Sequence, residues 1–380
     1  MTCSHFWSFG KLNTKTSKMV YGNTLFNNYY NHMAPLPQPP SSSKKVPRKP
    51  VPQGPSGNES PEEYFAKCRT KLLNGHIKTV RTVAWNCDGR KLASGSVDKT
   101  VRLWEADQED IKYSIKLLGH EESVDQLCWS PQSPHELATA STDKTVRFWD
   151  TRDVKRCTHV VKTDGENINI SWSWDGSMVA VGDKDDKISF IDPRHKPSPV
   201  IVKTYAEGDD IRDEINEISW NHDCSLFFLT TGSGAIKILK WPSLQPVHVL
   251  RGHTANCYCI DFDPKKRYVA AGGADALVTL WDLEECVCLR SFKELEFPVR
   301  TISFTHDGVY LAAASEDEHI IVSNVETGKT VYRIKTMAAT NSVAWHPKGY
   351  LLAFAGDEEG IQDQKNYIGL KVFGFNDLKE

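Results

Sequence analysis

Three histidines in this chain keep the company a hydrolase would need. His76, His120 and His253 each follow a glycine, and Asp98, Asp143 and Asp275 lie 22 or 23 residues downstream of them. Hydroxyls stand between, at Ser94 or Ser96 in the first case and at Thr139 in the second. A Ser or Thr beside a His held by an Asp is the arrangement that makes a nucleophile. Recurrence argues against that reading, because a triad is built once, whereas a constellation repeated along the chain is a folding device. No GxSxG turn accompanies it to present a serine. Gly232-Ser233-Gly234 lies between two short apolar runs rather than ahead of a helix, so it does not cradle a nucleotide. Ten cysteines include no CxxC pair, and Cys257/Cys259 and Cys286/Cys288 are spaced to share one face of a strand. Without further ligands at zinc spacing they read as buried thiols of a reducing compartment. No catalytic residue, cofactor, metal or small-molecule substrate is expected.

The elements that must position these residues repeat. Short apolar runs end on an aromatic residue at Trp85, Trp129, Trp172, Trp220, Phe262, Phe304 and Trp345, at intervals of 41 to 48 residues. After each anchor come a turn, a second apolar run, another turn and a third run. Three repeats open on Gly-His. The third runs of the same three end on Trp104-Glu105, Trp149-Asp150 and Trp281-Asp282. Gly-His opening and Trp-Asp closing at this period define the WD40 pattern, four strands per repeat, and seven repeats predict an all-β, seven-bladed propeller.

Strands that alternate direction put the Gly-His turn and the turn between second and third strands on one face. The chains Asp98–His76–Ser94 (or Ser96)–Trp104 and Asp143–His120–Thr139–Trp149 would then satisfy each buried indole N–H. The fifth repeat has His253, Asp275 and Trp281 but Ala271 and Gly273 at the hydroxyl positions, so its chain is expected to be interrupted or completed by water. Repeats three, four, six and seven lack both motifs and are expected to depend on apolar packing.

The propeller is assigned to residues 62–376. Arg69–Leu73 reads as a fourth strand with no first three, and the seventh repeat has three strands and no fourth; pairing them closes the ring and removes open edges. The segments 193–214 and 356–367 read as insertions, one between repeats three and four, the other an acidic expansion of the last repeat. Residues 1–60, dense in Pro, Ser and Gly, read as a disordered tail. They carry a net +6 against −9 for the remainder. The cluster Lys44, Lys45, Arg48 and Lys49 reads as a solvated linker, a nuclear-import signal or a phosphate contact. An acidic body is a poor sheath for a phosphate backbone. No apolar run approaches the roughly 20 residues that cross a bilayer, and the start MTCSHFWSFGKLN lacks a secretory pattern.

Residues outside the consensus carry a resemblance. ESVDQLCWSP (122–131), GENINISWSWDG (165–176), NEISWN (216–221), FPVRTISFTHDG (297–308), SEDEHI (315–320) and VAWHPKGYLLAFAGDE (343–358) resemble the THO complex subunit 3 (Tex1-type) family over residues 70–375. That resemblance implies a noncatalytic nuclear subunit that joins the large helical scaffold subunit of THO. An RNA helicase and an export adaptor would be reached through the complex, and messenger RNA indirectly. The alternative is a substrate receptor of a cullin-type ubiquitin ligase, for which Trp149-Asp150-Thr151-Arg152 supplies a WDxR match. A G-protein β-like role would need an N-terminal heptad helix, which the prolines exclude. For partner contact the polar residues four before each anchor are candidates: Arg81, Asp125, Asn216, Tyr258, Arg300 and Asn341. A solvated channel lining is the competing reading of the same positions.

Overall fold

The computed structural model describes Pro52, Gly54, Pro55 and residues 59–375, apart from 108–109, 207–212, 358 and 363–364. The basic cluster Lys44, Lys45, Arg48 and Lys49, with the rest of the segment before Pro52, lies outside the described residues. Seven antiparallel sheets form the blades of a propeller. Blade 1 runs from Val80–Trp85 at the centre through Lys91–Ser96 and Val101–Asp107 to Asp110–Leu117 at the rim. Blades 2 to 6 begin at Val124, Asn167, Ile215, Cys257 and Val299 and repeat this order. Blade 7 takes Thr340–Trp345, Leu352–Gly356 and Lys365–Phe375 from one end of the chain and Arg69–His76 from the other, Leu73 opposite Leu370.

Second strands are buried almost throughout, as in Lys91–Ser96 and Tyr310–Ser315. Fourth strands are largely exposed: Val200–Ala206 alternates and Gln245–Arg251 buries only Leu250. Position in the blade therefore sets composition. A strand covered by blades on both sides reads as a continuous apolar run, and a rim strand alternates or is polar. Val200–Ala206 pairs with Lys187–Asp192 as the rim strand of blade 3, so the stretch read as an insertion at 193–214 contains a regular strand with a longer turn before it. In the last repeat, Glu359–Gln362 pairs with the start of Lys365–Phe375 and extends that turn as a hairpin.

The blades without Gly-His and Trp-Asp are packed by aromatics. Between blades 3 and 4, Phe190 meets Trp220, Phe227 and Trp241 at ring distances of 5.8, 5.1 and 4.7 Å. Between blades 6 and 7 the equivalent filler comes from outside the repeats. Pro61–Ala66 forms a single helical turn, capped by Ser60, whose hydroxyl accepts the Glu63 N–H while the Glu63 carboxylate accepts the Ser60 N–H. Proline at the first helical position needs no donor there. This turn buries Phe65 completely against Tyr310, Tyr332, Trp345, Tyr350 and Phe373.

Candidate functional site

Each inner strand carries a β-bulge at the same place. The pairing skips one residue between Val80 and Thr82, Val124 and Gln126, Asn167 and Asn169, Ile215 and Glu217, Cys257 and Cys259, Val299 and Thr301, and Thr340 and Ser342. The skipped residues include Arg81, Asp125, Asn216, Tyr258, Arg300 and Asn341. An extra residue in a bulge leaves the pleat, which is why polar side chains occupy a position that apolar packing would otherwise demand. Four of them, Arg81, Tyr258, Arg300 and Asn341, line one mouth of the central channel, in a recess of about 420 Å³. Three of these, Arg81, Arg300 and Asn341, are engaged with one another or with their neighbours. Arg81 approaches Asp125 at 4.0 Å, Arg300 donates to Glu316 at 2.5 Å and to the Asn341 amide oxygen at 3.3 Å, and the Asn341 amide donates to Asp357 at 2.9 Å. The Asn216 carbonyl accepts from Asn169 at 3.0 Å.

Deeper in the channel, side chains do the work that main-chain pairing cannot. The inner strands of adjacent blades diverge, so their inward N–H groups need other acceptors. The Val83 N–H donates to the Ser342 hydroxyl, Val343 to Thr301, Trp345 to Ser303 and Phe304 to the Asp261 carboxylate, at 2.8 to 3.2 Å. Ile170 donates to the Gln126 amide oxygen, whose Nε2 donates to Glu217 at 2.7 Å. Burial pushes both Glu217 and Asp261 up to about 7, against the hydrogen bonds they accept.

The three Gly-His blades hold their polar chains inside, with His76, His120 and His253 each under a tenth exposed. In blade 1, His76 Nδ1 donates to Asp98 at 2.9 Å, its Nε2 accepts from the Ser94 hydroxyl at 2.8 Å, and Ser94 accepts the Trp104 indole N–H at 3.0 Å. Ser96 instead donates to the Lys78 and Thr79 carbonyls. Blade 2 repeats the chain through His120, Asp143, Thr139 and Trp149 at 2.7 to 3.0 Å. Burial alone would raise the Asp98 and Asp143 carboxyls, but the His and Thr hydrogen bonds and a backbone N–H hold both well below the ordinary range. Burial likewise lowers His120 despite its aspartate, so the ring stays neutral and its tautomer is set. A hydroxyl that donates to imidazole, accepts from indole and is fully enclosed leaves no room for a substrate beside it.

Blade 5 departs from expectation. Its chain is complete without water, because the third strand supplies the hydroxyl. Thr279 lies 3.0 Å from His253 Nε2 and accepts the Trp281 indole N–H at 2.9 Å, while His253 Nδ1 donates to Asp275 at 2.9 Å. Thr279 pairs directly with Ala271, so the hydroxyl has moved one rung across the ladder. The other blades are not purely apolar either. Asp317 accepts the Glu296 and Phe297 N–H groups and the Ser315 hydroxyl, as Asp98 accepts the Ile77 N–H. Asp213 accepts from Ser233 and pairs with Lys237. The aspartate of the second turn thus survives in blade 6, where the histidine is gone, and in blade 4 an aspartate from the entering link fastens the two turns instead. Arg152 of the WDxR match is exposed and gripped by its own Asp150, Nε to Oδ1 at 2.9 Å and Nη2 to Oδ2 at 2.6 Å.

No metal-binding cluster occurs among the described residues, and the cysteines from Cys87 to Cys288 are free thiols. What the ring offers is surface: two faces, a channel mouth and a rim. Seven antiparallel blades, three of them fastened by buried Asp–His–hydroxyl–Trp chains, define a WD40 propeller. Its sequence matches the family model described as the THOC3 β-propeller domain over residues 76–355, and the chain belongs to that family. It is 48% identical to THO complex subunit 3 of Arabidopsis thaliana over 313 residues, covering 82% of this chain and 97% of the relative. It is 33% identical to WD repeat-containing protein AAC3 of Dictyostelium discoideum, covering 82% of this chain and 68% of that one. A more distant match, 23% identical over 77% of this chain, is to WD repeat-containing protein 26 homolog of Arabidopsis thaliana.

Proposed function

We propose that the chain is a noncatalytic interaction subunit of the nuclear THO assembly, which couples transcription to the packaging and export of messenger RNA. The observation that carries this reading is the near-complete, 48% identical match to a relative named THO complex subunit 3. The geometry agrees with such a role. The polar constellations that could suggest chemistry are enclosed and mutually satisfied, and polar bulge residues ring a channel mouth. On this reading the large helical scaffold subunit of THO is the direct partner, and the bulge residues Arg81, Asp125, Asn216, Tyr258, Arg300 and Asn341 contribute to contact. The RNA helicase and export adaptor are reached through the complex, and messenger RNA is bound indirectly or through the basic segment before Pro52.

Affinity purification of the tagged protein from nuclease-treated nuclear extract tests this. Stoichiometric recovery of THO subunits is expected. Recovery of a cullin adaptor in their place, lost on Arg152→Ala, would establish the ligase-receptor alternative.

A further inference from the structure

The two faces of the ring differ in charge far more than the net −3 of the chain suggests. Among the described residues, the turns of the Gly-His face hold 17 Asp and Glu against 5 Lys and Arg, and those of the opposite face hold 9 against 11. A second, independent asymmetry lies on the same Gly-His face. The four consecutive links that enter blades 6, 7, 1 and 2 each expose one large apolar side chain: Phe297 at 49%, Met337 at 70%, Ile77 at 62% and Leu118 at 64%. Among the described residues, the links into blades 3, 4 and 5 expose none. A single exposed apolar residue is ordinary. One in the corresponding link of four neighbouring blades is an arc, and nothing in the fold uses it.

The arc borders the channel mouth lined by Tyr258 and Pro298, and uncovered acids accompany it. Glu121, Glu296, Glu318 and Asp357 are exposed beside it. Of the cations on this face, Arg300 pairs with Glu316 and Lys99 with Glu122, and Lys78 and Lys293 stand exposed in the links themselves. A phosphate or an acidic peptide would be repelled there. A chain carrying both apolar and positive side chains would find apolar contact and opposite charge together, the combination that supplies anchors at the centre of an interface and steering at its edge.

We propose that this arc, Phe297–Met337–Ile77–Leu118 with its flanking carboxylates, docks a Lys/Arg-rich segment of a partner polypeptide that inserts apolar side chains between the links. The inference deepens the reading of the chain as an assembly subunit and rests on it. It names the chemistry of the segment and the half of one face that receives it. The occupant proposed is a segment of a partner polypeptide, and Pro52, where the described chain begins, accepts the Tyr350 N–H on the opposite face.

The test uses the full chain and designed peptides of about 15 residues in which net charge and apolar content vary independently. Binding is read by fluorescence anisotropy. Peptides that are both basic and apolar should bind best. Their Kd should rise about tenfold or more for Phe297→Ser/Met337→Ser and for Glu296→Lys/Glu318→Lys, with melting temperature unchanged. Val247→Ser, on the exposed rim strand of blade 4, should bind as the parent does. Preference for acidic or neutral peptides, or losses below about twofold in both variants, would overturn the proposal. So would a labelled oligouridine bound tightly through the same residues, because the occupant would then be nucleic acid. A protein that enters THO equally well with and without the arc's apolar residues and shows no peptide preference loses only this inference. One that selects basic, apolar peptides through the arc yet never associates with THO loses only the proposed function.

Discussion

Thr279→Val is the sharpest probe of the polar chains, because it changes one atom for another of nearly the same size. The Thr279 hydroxyl serves two buried partners, the Trp281 indole N–H at 2.9 Å and His253 Nε2 at 3.0 Å. Valine preserves the packing and strands both. An unsatisfied buried polar group costs about 1–3 kcal/mol, and the two losses share one site, so about 2–4 kcal/mol of stability should disappear. Thr279→Ser keeps the hydroxyl and should cost about 1 kcal/mol, the worth of a methyl group. Equilibrium urea unfolding followed by tryptophan fluorescence separates the three proteins, provided the denaturant slope is unchanged. A rescue is available. Ala271 occupies the rung where blades 1 and 2 place Ser94 and Thr139, so Ala271→Ser in the Thr279→Val background should return part of the loss. A valine variant within about 0.5 kcal/mol of the parent, or a rescue variant no better than it, would refute the assignment of Thr279 and return the role to water.

Phe65→Ala should cost about 3–5 kcal/mol, since the ring is fully buried between blades 6 and 7, and calorimetry should show the loss although residue 65 lies outside every repeat. His346 is enclosed, with Nε2 donating to the Gly89 carbonyl at 2.9 Å and Nδ1 accepting from Lys348, and burial lowers it to about 4. Its folded value lies below the unfolded one of about 6.5, so its contribution is complete above pH 6.5 and is lost as pH falls toward 4; that window is worth about 3 kcal/mol, and His346→Gln should flatten the slope of stability against pH. Replacing Lys44, Lys45, Arg48 and Lys49 with alanine should shift a fluorescently tagged protein toward the cytoplasm in cells lacking the other THO subunits, and an unchanged distribution would remove the import role.

The blades were legible because their period and their anchors come from backbone geometry: every inner strand must end on a bulky aromatic, whatever the blade binds. Trp-Asp and Gly-His were equally plain, being local. The hydroxyl of blade 5 was not, because Thr279 reaches His253 only after the second and third strands are paired in register, and that contact has no sequence neighbourhood. The helical turn at Pro61–Ala66 carried a readable signal, Ser60-Pro61-Glu62-Glu63, a capping box with proline at the first helical position. It was overshadowed by the Pro/Ser-rich composition before it. Val200–Ala206 was hidden differently. Rim strands are half solvated, so their pattern weakens, and a lengthened turn before one resembles an insertion. The bulge at every fourth residue before an anchor shows only as polar residues in an apolar run, and it takes the pairing to show that all seven blades share it.

The central claim, that this propeller is a structural part of THO, is tested most directly by reconstitution without nucleic acid. The purified chain, mixed with recombinant THO subunits and treated with nuclease, should enter one complex by size exclusion, and native mass spectrometry should give a fixed integer stoichiometry that persists when the helicase and the export adaptor are left out. Elution of the chain on its own, or association that vanishes with the nuclease, would contradict the account.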